Sequence, residues 1–144
     1  MDTVSGGCHC GNILVEVELT RAPETYQPRA CDCSFCRKHA AAYVSDPLGA
    51  LRILVRSESE SGRYRQGSGQ AELLLCRSCG VLIGPLFREG GRLFAAVNSK
   101  VIDPPARFGA EQSVSPQHLS GGEKAQRWQN IWFAHVSLGT SPDR

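Results

Sequence analysis

The sequence has no apolar run that approaches the roughly 20 residues needed to cross a bilayer. Its N-terminus also lacks the basic stretch and the following apolar stretch of a secretory signal peptide. Internal repeats and low-complexity tracts are absent as well. We therefore expect a cytoplasmic protein with no membrane partner, folded as a single domain over residues 1–144. The core is predicted over residues 5–138, with flexible segments at 1–4 and 139–144.

The sequence also has no strong excess of charge of one sign. Charged residues make up 21% of the chain, and the formal net charge is +2 at pH 7. Proteins that bind nucleic acid through bulk charge have a much more basic domain, or a basic tail, and neither is present here. We therefore expect no nucleic-acid partner.

Cysteine is abundant instead, with seven in 144 residues. An odd number of cysteines cannot all pair in disulfides, and closely spaced cysteines in a reducing compartment are typical of metal-binding or catalytic sites. The cysteines form three groups, which are Cys8 and Cys10, then Cys31, Cys33 and Cys36, then Cys76 and Cys79. This pattern predicts zinc binding.

The downstream pair has the spacing of a zinc knuckle. A tight turn over Cys76-x-x-Cys79 aims both sulfurs at one point, about 2.3 Å from a shared Zn²⁺. Gly80 suits such a turn because glycine adopts positive φ without strain. A closed tetrahedral site needs two more ligands, which come either from Cys8 and Cys10 or from two cysteines of the central group.

The central group can present three thiolates to one metal by itself. Cys31 and Cys33 lie on the same face of an extended strand, and Cys33-x-x-Cys36 adds the knuckle spacing. The favoured division is therefore four plus three. One zinc is structural and closed, held by Cys8, Cys10, Cys76 and Cys79. The other is catalytic, held by Cys31, Cys33 and Cys36, with one open position.

Other interpretations of the central group stay open. Asp32 or His39 could complete a four-ligand structural shell. The Cys33-x-x-Cys36 pair could instead serve as a redox dithiol. Neighbouring Arg37 and Lys38 could stabilise thiolates and attract an anionic substrate, or they could be an ordinary pair of solvated charges.

The hydrophobic pattern predicts a mainly β fold of antiparallel sheets. Alternation or short apolar runs bounded by turn residues predict strands at residues 12–19, 51–56, 62–66, 71–76, 81–87 and 92–98. The strand at 81–87 is expected to be interrupted at Gly84-Pro85. Residues 1–7 are predicted as a loose leader, 38–43 as a short helical turn, and 106–127 as irregular. The aromatic cluster at 128–133 is expected to pack on the sheet, in preference to forming a dimer interface.

The cysteine motifs resemble those of the glutathione-dependent formaldehyde-activating enzyme family, which also includes centromere protein V. The matching segments are residues 7–11 (GCHCG), 31–38 (CDCSFCRK) and 76–80 (CRSCG), and the resemblance extends over about residues 5–105. It implies a β-tent, in which antiparallel sheets are pinned by zinc. It also implies two zincs per chain, with the same division of the seven cysteines.

The reaction implied by the resemblance is the addition of glutathione to formaldehyde, giving S-(hydroxymethyl)glutathione. We therefore predict a zinc-dependent carbon–sulfur lyase that acts on a small thiol or a thiol–aldehyde adduct, as a monomer or homodimer. The open zinc position would bind the thiolate or polarise the aldehyde oxygen, and Arg37 or Lys38 would steer a substrate carboxylate. The alternative is a non-catalytic, zinc-stabilised binding module.

Overall fold

The computed structural model describes residues 2–104 and 107–140, and within them strands predominate over helices. In chain order, the strands are β1 (Asp2–Gly7), β2 (Ile13–Leu19), β3 (Arg29–Cys31), β4 (Tyr43–Val44), β5 (Ala50–Val55), β6 (Ser61–Tyr64), β7 (Glu72–Cys76), β8 (Leu82–Glu89), β9 (Arg92–Ala95), β10 (Val97–Asn98), β11 (Ile102–Asp103), β12 (Gln112–Val114) and β13 (Val136–Thr140). The helices are α1 (Ser34–His39) and α2 (Gly121–Ile131). Short 3-10 turns lie at Pro23–Thr25, Glu58–Glu60, Ser99–Val101 and Pro116–His118. The predicted mainly β class is confirmed.

The strands form three sheets. The first has the order β11-β1-β2-β5-β13, the second β10-β4-β3-β12, and the third β6-β7-β8-β9. Neighbouring strands are antiparallel, except that β13 runs parallel to β5 and β12 runs parallel to β3. Strand β2 lies at the centre of the first sheet. Its alternating apolar residues, which predicted a half-buried strand, are all buried: Ile13, Val15, Val17 and Leu19.

The first strand differs from its prediction as a loose leader. Residues Asp2–Gly7 pair with β2 along their whole length, and Val4 lies opposite Val17. Gly6 is needed here because a Cβ atom at this position would lie 1.8 Å from the carbonyl oxygen of Val101. The polar, glycine-rich sequence carries no strand pattern of its own, so its pairing with β2 and β11 determines its structure.

The last strand also extends the ordered core beyond its predicted end. Strand β13 continues to Thr140 beside β5, so residues 139 and 140 are not a flexible segment. Residues 141–144 of the predicted flexible tail lie outside the described residues.

The predicted interruption of the strand at Gly84-Pro85 is wrong. Strand β8 runs through both residues, and the irregularity instead appears as a register shift in its pairing with β7, between Leu74 and Leu75. Gly84 has a φ of +154°, and a Cβ there would lie 2.2 Å from the Ala96 carbonyl oxygen. Glycine thus lets β8 pass close to a neighbouring backbone without a break.

Residues 107–127 are not irregular as predicted, because they contain β12 and most of α2; residue 106 lies outside the described part. Helix α2 starts at a capping box, in which the Glu123 backbone N–H donates to Ser120 Oγ at 3.1 Å. In return, the Ser120 backbone N–H donates to Glu123 Oε1 at 2.8 Å. These bonds satisfy two of the free N–H groups at the helix start.

The aromatic cluster packs on the sheets as expected. The rings of Trp128 and Trp132 stack with their centroids 4.9 Å apart, and Phe87 meets Trp128 edge-on at 5.1 Å. Phe133 is fully buried and forms a bridge with Ala95 of β9. Helix α2 is thereby attached to the third sheet. No helix among the described residues is long and apolar enough to cross a membrane.

Two cysteine clusters and the candidate active site

The first cluster brings four sulfurs together at the ends of two hairpins. Its ligand atoms all lie within 4.8 Å of one another and belong to Cys8, Cys10, Cys76 and Cys79. The Cys8 and Cys10 sulfurs are 3.7 Å apart, and the Cys10 and Cys76 sulfurs are 3.6 Å apart. A tetrahedron of sulfurs at about 2.3 Å from a Zn²⁺ has edges of about 3.8 Å. The cluster therefore fits a closed tetrahedral metal site.

Both hairpin loops of this four-sulfur cluster are closed in the same way. The Cys8 backbone N–H donates to the Ile13 carbonyl at 2.9 Å, and the Cys76 N–H donates to the Val81 carbonyl at 3.0 Å. Each loop also contains a glycine with strongly positive φ after its second cysteine. The tight turn that the sequence predicts for 76–80 is thus repeated at 8–11.

Backbone donors face two of these sulfurs. The Ile13 N–H donates to Cys8 Sγ at 3.2 Å, and the Cys79 N–H donates to Cys76 Sγ at 3.5 Å. Burial raises the pKa of the Cys76 thiol to about 12. A thiolate at this buried position needs a strong compensating charge, which a metal ion would supply.

The second cluster lies where β3 ends and α1 begins. The sulfurs of Cys31, Cys33 and Cys36 also lie within 4.8 Å of one another. Cys33 is the N-cap of α1, and its sulfur accepts a hydrogen bond from the Cys36 N–H at 3.4 Å. Helix α1 ends at His39, followed by Ala40 with a φ of +51°, so the helix lies earlier than the predicted turn at 38–43.

The three sulfurs of this cluster interact strongly. The hydrogen bond with Cys36 lowers the pKa of Cys31 to about 6, while the bond with Cys31, together with burial, raises the pKa of Cys36. Deprotonation of one of these two sulfurs therefore opposes deprotonation of the other. Three adjacent sulfurs become thiolates together only if a cation joins them.

Two side chains that the sequence did not reveal contact these sulfurs. The Tyr43 hydroxyl lies 3.1 Å from Cys36 Sγ, and the Gln66 Nε2 lies 3.9 Å from Cys33 Sγ. Tyr43 lies 7 residues from Cys36 and Gln66 lies 33 residues from Cys33, and no local sequence pattern indicated either contact. Burial raises the pKa of Tyr43, so its hydroxyl stays protonated and can donate to a thiolate.

The two residues considered as a fourth ligand do not join the cluster. Among the described residues, only the three cysteines come within ligand distance of one another here. The Asp32 carboxylate accepts a hydrogen bond from Ser115, and the ring of His39 packs against Phe35 with centroids 4.6 Å apart. The cluster therefore provides three ligands to a metal.

A cavity of about 300 Å³ adjoins the three sulfurs. All three cysteines line it, and its apolar walls include Leu73, Pro85, Trp128 and Trp132. Its charged lining residues are Arg29, Lys124 and Arg127, and no acidic residue of the described chain is among them. A concave, partly apolar space with a few polar groups is the usual form of a small-molecule site.

A model of the family described as "Glutathione-dependent formaldehyde-activating enzyme" matches residues 3–117, which include all seven cysteines. The chain belongs to this family. It is also similar to a protein from Rhodobacter sphaeroides whose crystal structure gives a TM-score of 0.54 at 24% identity. The alignment covers 95% of this chain and 99% of that one. At this identity, the likeness supports a common fold.

Within this member of the glutathione-dependent formaldehyde-activating enzyme family, the cavity cations differ from those the sequence suggested. Arg37 and Lys38 are exposed on α1 and do not line the cavity. Lys124 and Arg127 come from α2, which follows the residues that the family model matches. Lys124 and Arg127 were not predicted as cavity residues, because residues 106–127 were predicted to be irregular.

Proposed function

We propose that the protein is a zinc-dependent carbon–sulfur lyase that forms or cleaves a thiol–aldehyde adduct such as S-(hydroxymethyl)glutathione. The observation that carries the proposal is the three-sulfur cluster opening on the cavity, with no fourth ligand among the described residues. Family membership supports the same chemistry. A site with three protein ligands and one exchangeable position is the form that catalytic zinc takes.

Zinc is the metal that suits both clusters best, because all seven ligands are thiolates. Cys8, Cys10, Cys76 and Cys79 would hold a structural ion, whereas Cys31, Cys33 and Cys36 would hold the catalytic one. In the latter place zinc would supply a Lewis acid that holds a substrate thiol as thiolate or polarises the aldehyde oxygen. Adduct formation makes one carbon–sulfur bond and moves one proton, in net terms, from the thiol to the carbonyl oxygen.

The chain's own residues have supporting roles in this scheme. The Tyr43 hydroxyl lies 3.1 Å from Cys36 Sγ, and it would donate to that sulfur in its thiolate form and so fix its orientation. Leu73 and Trp132 are buried apolar residues that line the cavity, and they would limit the water around a bound substrate. Exclusion of water strengthens the electrostatic interactions of the bound substrate.

A non-catalytic, zinc-stabilised binding module is the second candidate. Its support is a surface aromatic pair, in which Phe35 stacks on Tyr64 with centroids 5.1 Å apart. Tyr64 is 49% exposed, so the pair could contact a partner. The cavity beside the three sulfurs favours the lyase, because a purely structural metal needs no adjoining space.

The deciding experiment measures exchange between ¹³C-formaldehyde, glutathione and their adduct by NMR, with and without zinc-loaded protein. We expect exchange faster than the spontaneous reaction. Cys36→Ser should remove this acceleration and one zinc while leaving the far-ultraviolet circular dichroism unchanged. Arg37→Gln, on the exposed face of α1, is the matched control and should behave like wild type. Wild-type protein that fails to accelerate exchange would favour the binding module.

A further inference from the structure

We propose that Arg29, Lys124 and Arg127 form a carboxylate-binding subsite, so that the cavity selects thiols bearing at least one carboxylate over neutral thiols. This inference rests on the proposed function, which places the substrate sulfur at the three-cysteine cluster. It adds a second point of recognition, away from the sulfurs, and assigns it to residues of β3 and α2.

The three cations reach the cavity from two elements. Arg29 precedes Cys31 by two residues on β3, and alternate strand residues share a face. Lys124 and Arg127 are three residues apart on α2, so they lie on one side of the helix. Trp128 follows on the same side and lines the cavity with them.

Two consecutive hydrogen bonds hold Arg29 in place and link it to the end of α2. Its Nη2 donates to Ser45 Oγ at 2.6 Å, and the Ser45 hydroxyl donates to the carbonyl oxygen of Ile131 at 2.6 Å. Ile131 is the last residue of α2. The guanidinium on β3 and the end of the helix that carries the other two cations are therefore connected.

No carboxylate neutralises these cations among the described residues. The ion pairs found there join Arg52 to Glu16, Arg63 to Glu58, Arg65 to Glu72, and Lys100 to Glu111. Arg29 and Arg127 line the same cavity, and because guanidinium groups stay charged at neutral pH, the two cations repel each other. An anion bound in the cavity would relieve this repulsion, and arginine pairs with carboxylates through two parallel hydrogen bonds.

A competing explanation is that Arg127 serves only the metal ligands. Arg127 lines the same cavity as Cys31, so its charge could act on that sulfur. If Arg127 acted only on the cysteines, the carboxylates of a molecule bound in the cavity would not affect its affinity. This role for Arg127 would also give Lys124, which lines the cavity near Gly67, no part in recognition.

The test uses S-methylglutathione, which keeps both carboxylates of glutathione but cannot offer a thiolate to zinc. Its binding to zinc-loaded protein is measured by isothermal titration calorimetry. We expect Arg127→Gln to weaken binding on the order of tenfold to a hundredfold, the usual value of a charged hydrogen bond, and Lys124→Gln to weaken it less. The exposed control Arg37→Gln should stay within about twofold of wild type.

The diethyl ester of S-methylglutathione supplies the complementary test. It should bind wild type as weakly as the free acid binds Arg127→Gln. Equal affinity of ester and acid for wild type would overturn the subsite, as would no detectable binding of the acid. Both variants should keep the wild-type zinc content and melting temperature within a few degrees, and Lys124→Gln decides the matter if Arg127→Gln does not fold.

The outcomes separate this inference from the proposed function. Carboxylate-dependent binding without accelerated exchange of the formaldehyde adduct would sustain the subsite and refute the lyase. Accelerated exchange that is equally efficient with glutathione and 2-mercaptoethanol would sustain the lyase and refute the subsite.

Discussion

In the four-sulfur cluster, each pair of cysteines sits on a hairpin loop, whereas the three-sulfur cluster combines a strand end with the first turn of a helix. The first borders the larger apolar core, in which Cys8 and Cys76 are buried. The second borders a smaller core that includes Cys36, Tyr43 and Trp132. Cysteine sulfur atoms thus occur beside two different apolar cores.

The difference shows how one residue type can serve two purposes in a small domain. Four sulfurs at tetrahedral distances complete the shell of a metal and leave it nothing else to bind. Three sulfurs beside a cavity would leave a bound metal one position for a ligand, and the cations that line the cavity would favour an anionic ligand. Under the proposed function, stability and reactivity depend on separate clusters, so substitutions should affect them separately.

The largest expected effect is that of Cys76→Ser. Structural zinc contributes about 10–16 kcal/mol to the folding of small zinc domains, which exceeds or equals the whole stability of a typical domain. Because Cys76 is fully buried and its sulfur lies in the closed cluster, we expect no cooperative thermal unfolding transition in this variant. Circular dichroism over a temperature ramp measures this.

Cys33→Ser is the matched control from the other cluster. It should keep a cooperative transition and lose only one zinc, measured by inductively coupled plasma mass spectrometry. If Cys33→Ser unfolds as completely as Cys76→Ser, the two clusters do not divide stability and reactivity as proposed.

Titration with a mild chelator should sharpen the same comparison. The structure offers two cysteine clusters that could each hold a metal ion, and the cavity adjoins the cluster of Cys31, Cys33 and Cys36. We expect a zinc bound at these three cysteines to leave first, with the fold retained, and a zinc bound at the four-sulfur cluster to leave only on denaturation. A zinc-responsive dye recorded together with circular dichroism follows both events. Release of both ions in one step would contradict the expectation.

Tyr43→Phe tests the contact between the second cluster and its surroundings. Removing the hydroxyl 3.1 Å from Cys36 Sγ takes away a hydrogen bond to a ligand atom. Such losses weaken metal binding by about 10–100-fold, and we expect the lower end of this range because only one donor is removed. Competition with a calibrated chelator gives the affinity. The four-sulfur zinc should be unaffected, which provides an internal control.

Ser120→Ala should have the smallest effect of the four. It removes one side of the capping box at the start of α2 and should lower the unfolding free energy by about 1 kcal/mol. Chemical denaturation measures this change. Ser120→Asp keeps a capping acceptor and should restore most of the stability. Equal destabilisation by both substitutions would indicate that the serine has another role.

Structural features that depend on residues close together in the sequence were predicted correctly. The alternating residues of β2 and the knuckle spacing of Cys76 and Cys79 each define their own geometry, and both were predicted. The division of seven cysteines into four and three matches the two groups that the structure brings together. Strand β1 was missed because its glycines suit close backbone approach, and neither β2 nor Val101 can be identified as a neighbour from the sequence.

Helix α2 was not predicted from the sequence, and the reason for this is informative. Its two leading glycines and polar composition argued for a loop, and none of its residues is fully buried. A signal was nevertheless present, because Ser120 followed three residues later by Glu123 is the pattern of a capping box. The contact of Tyr43 with Cys36 and the convergence of Arg29 with Arg127 had no such signal, since both arise from tertiary packing.

The position of α2 along the chain has a consequence for how related proteins diverge. The seven sulfurs precede residue 117, where the family match ends, whereas two of the three cavity cations follow it. Recombination at a single junction after β12 would therefore exchange the part of the cavity wall that α2 forms and leave the seven cysteines untouched. Chimeras built at that junction are a direct route to new thiol selectivity.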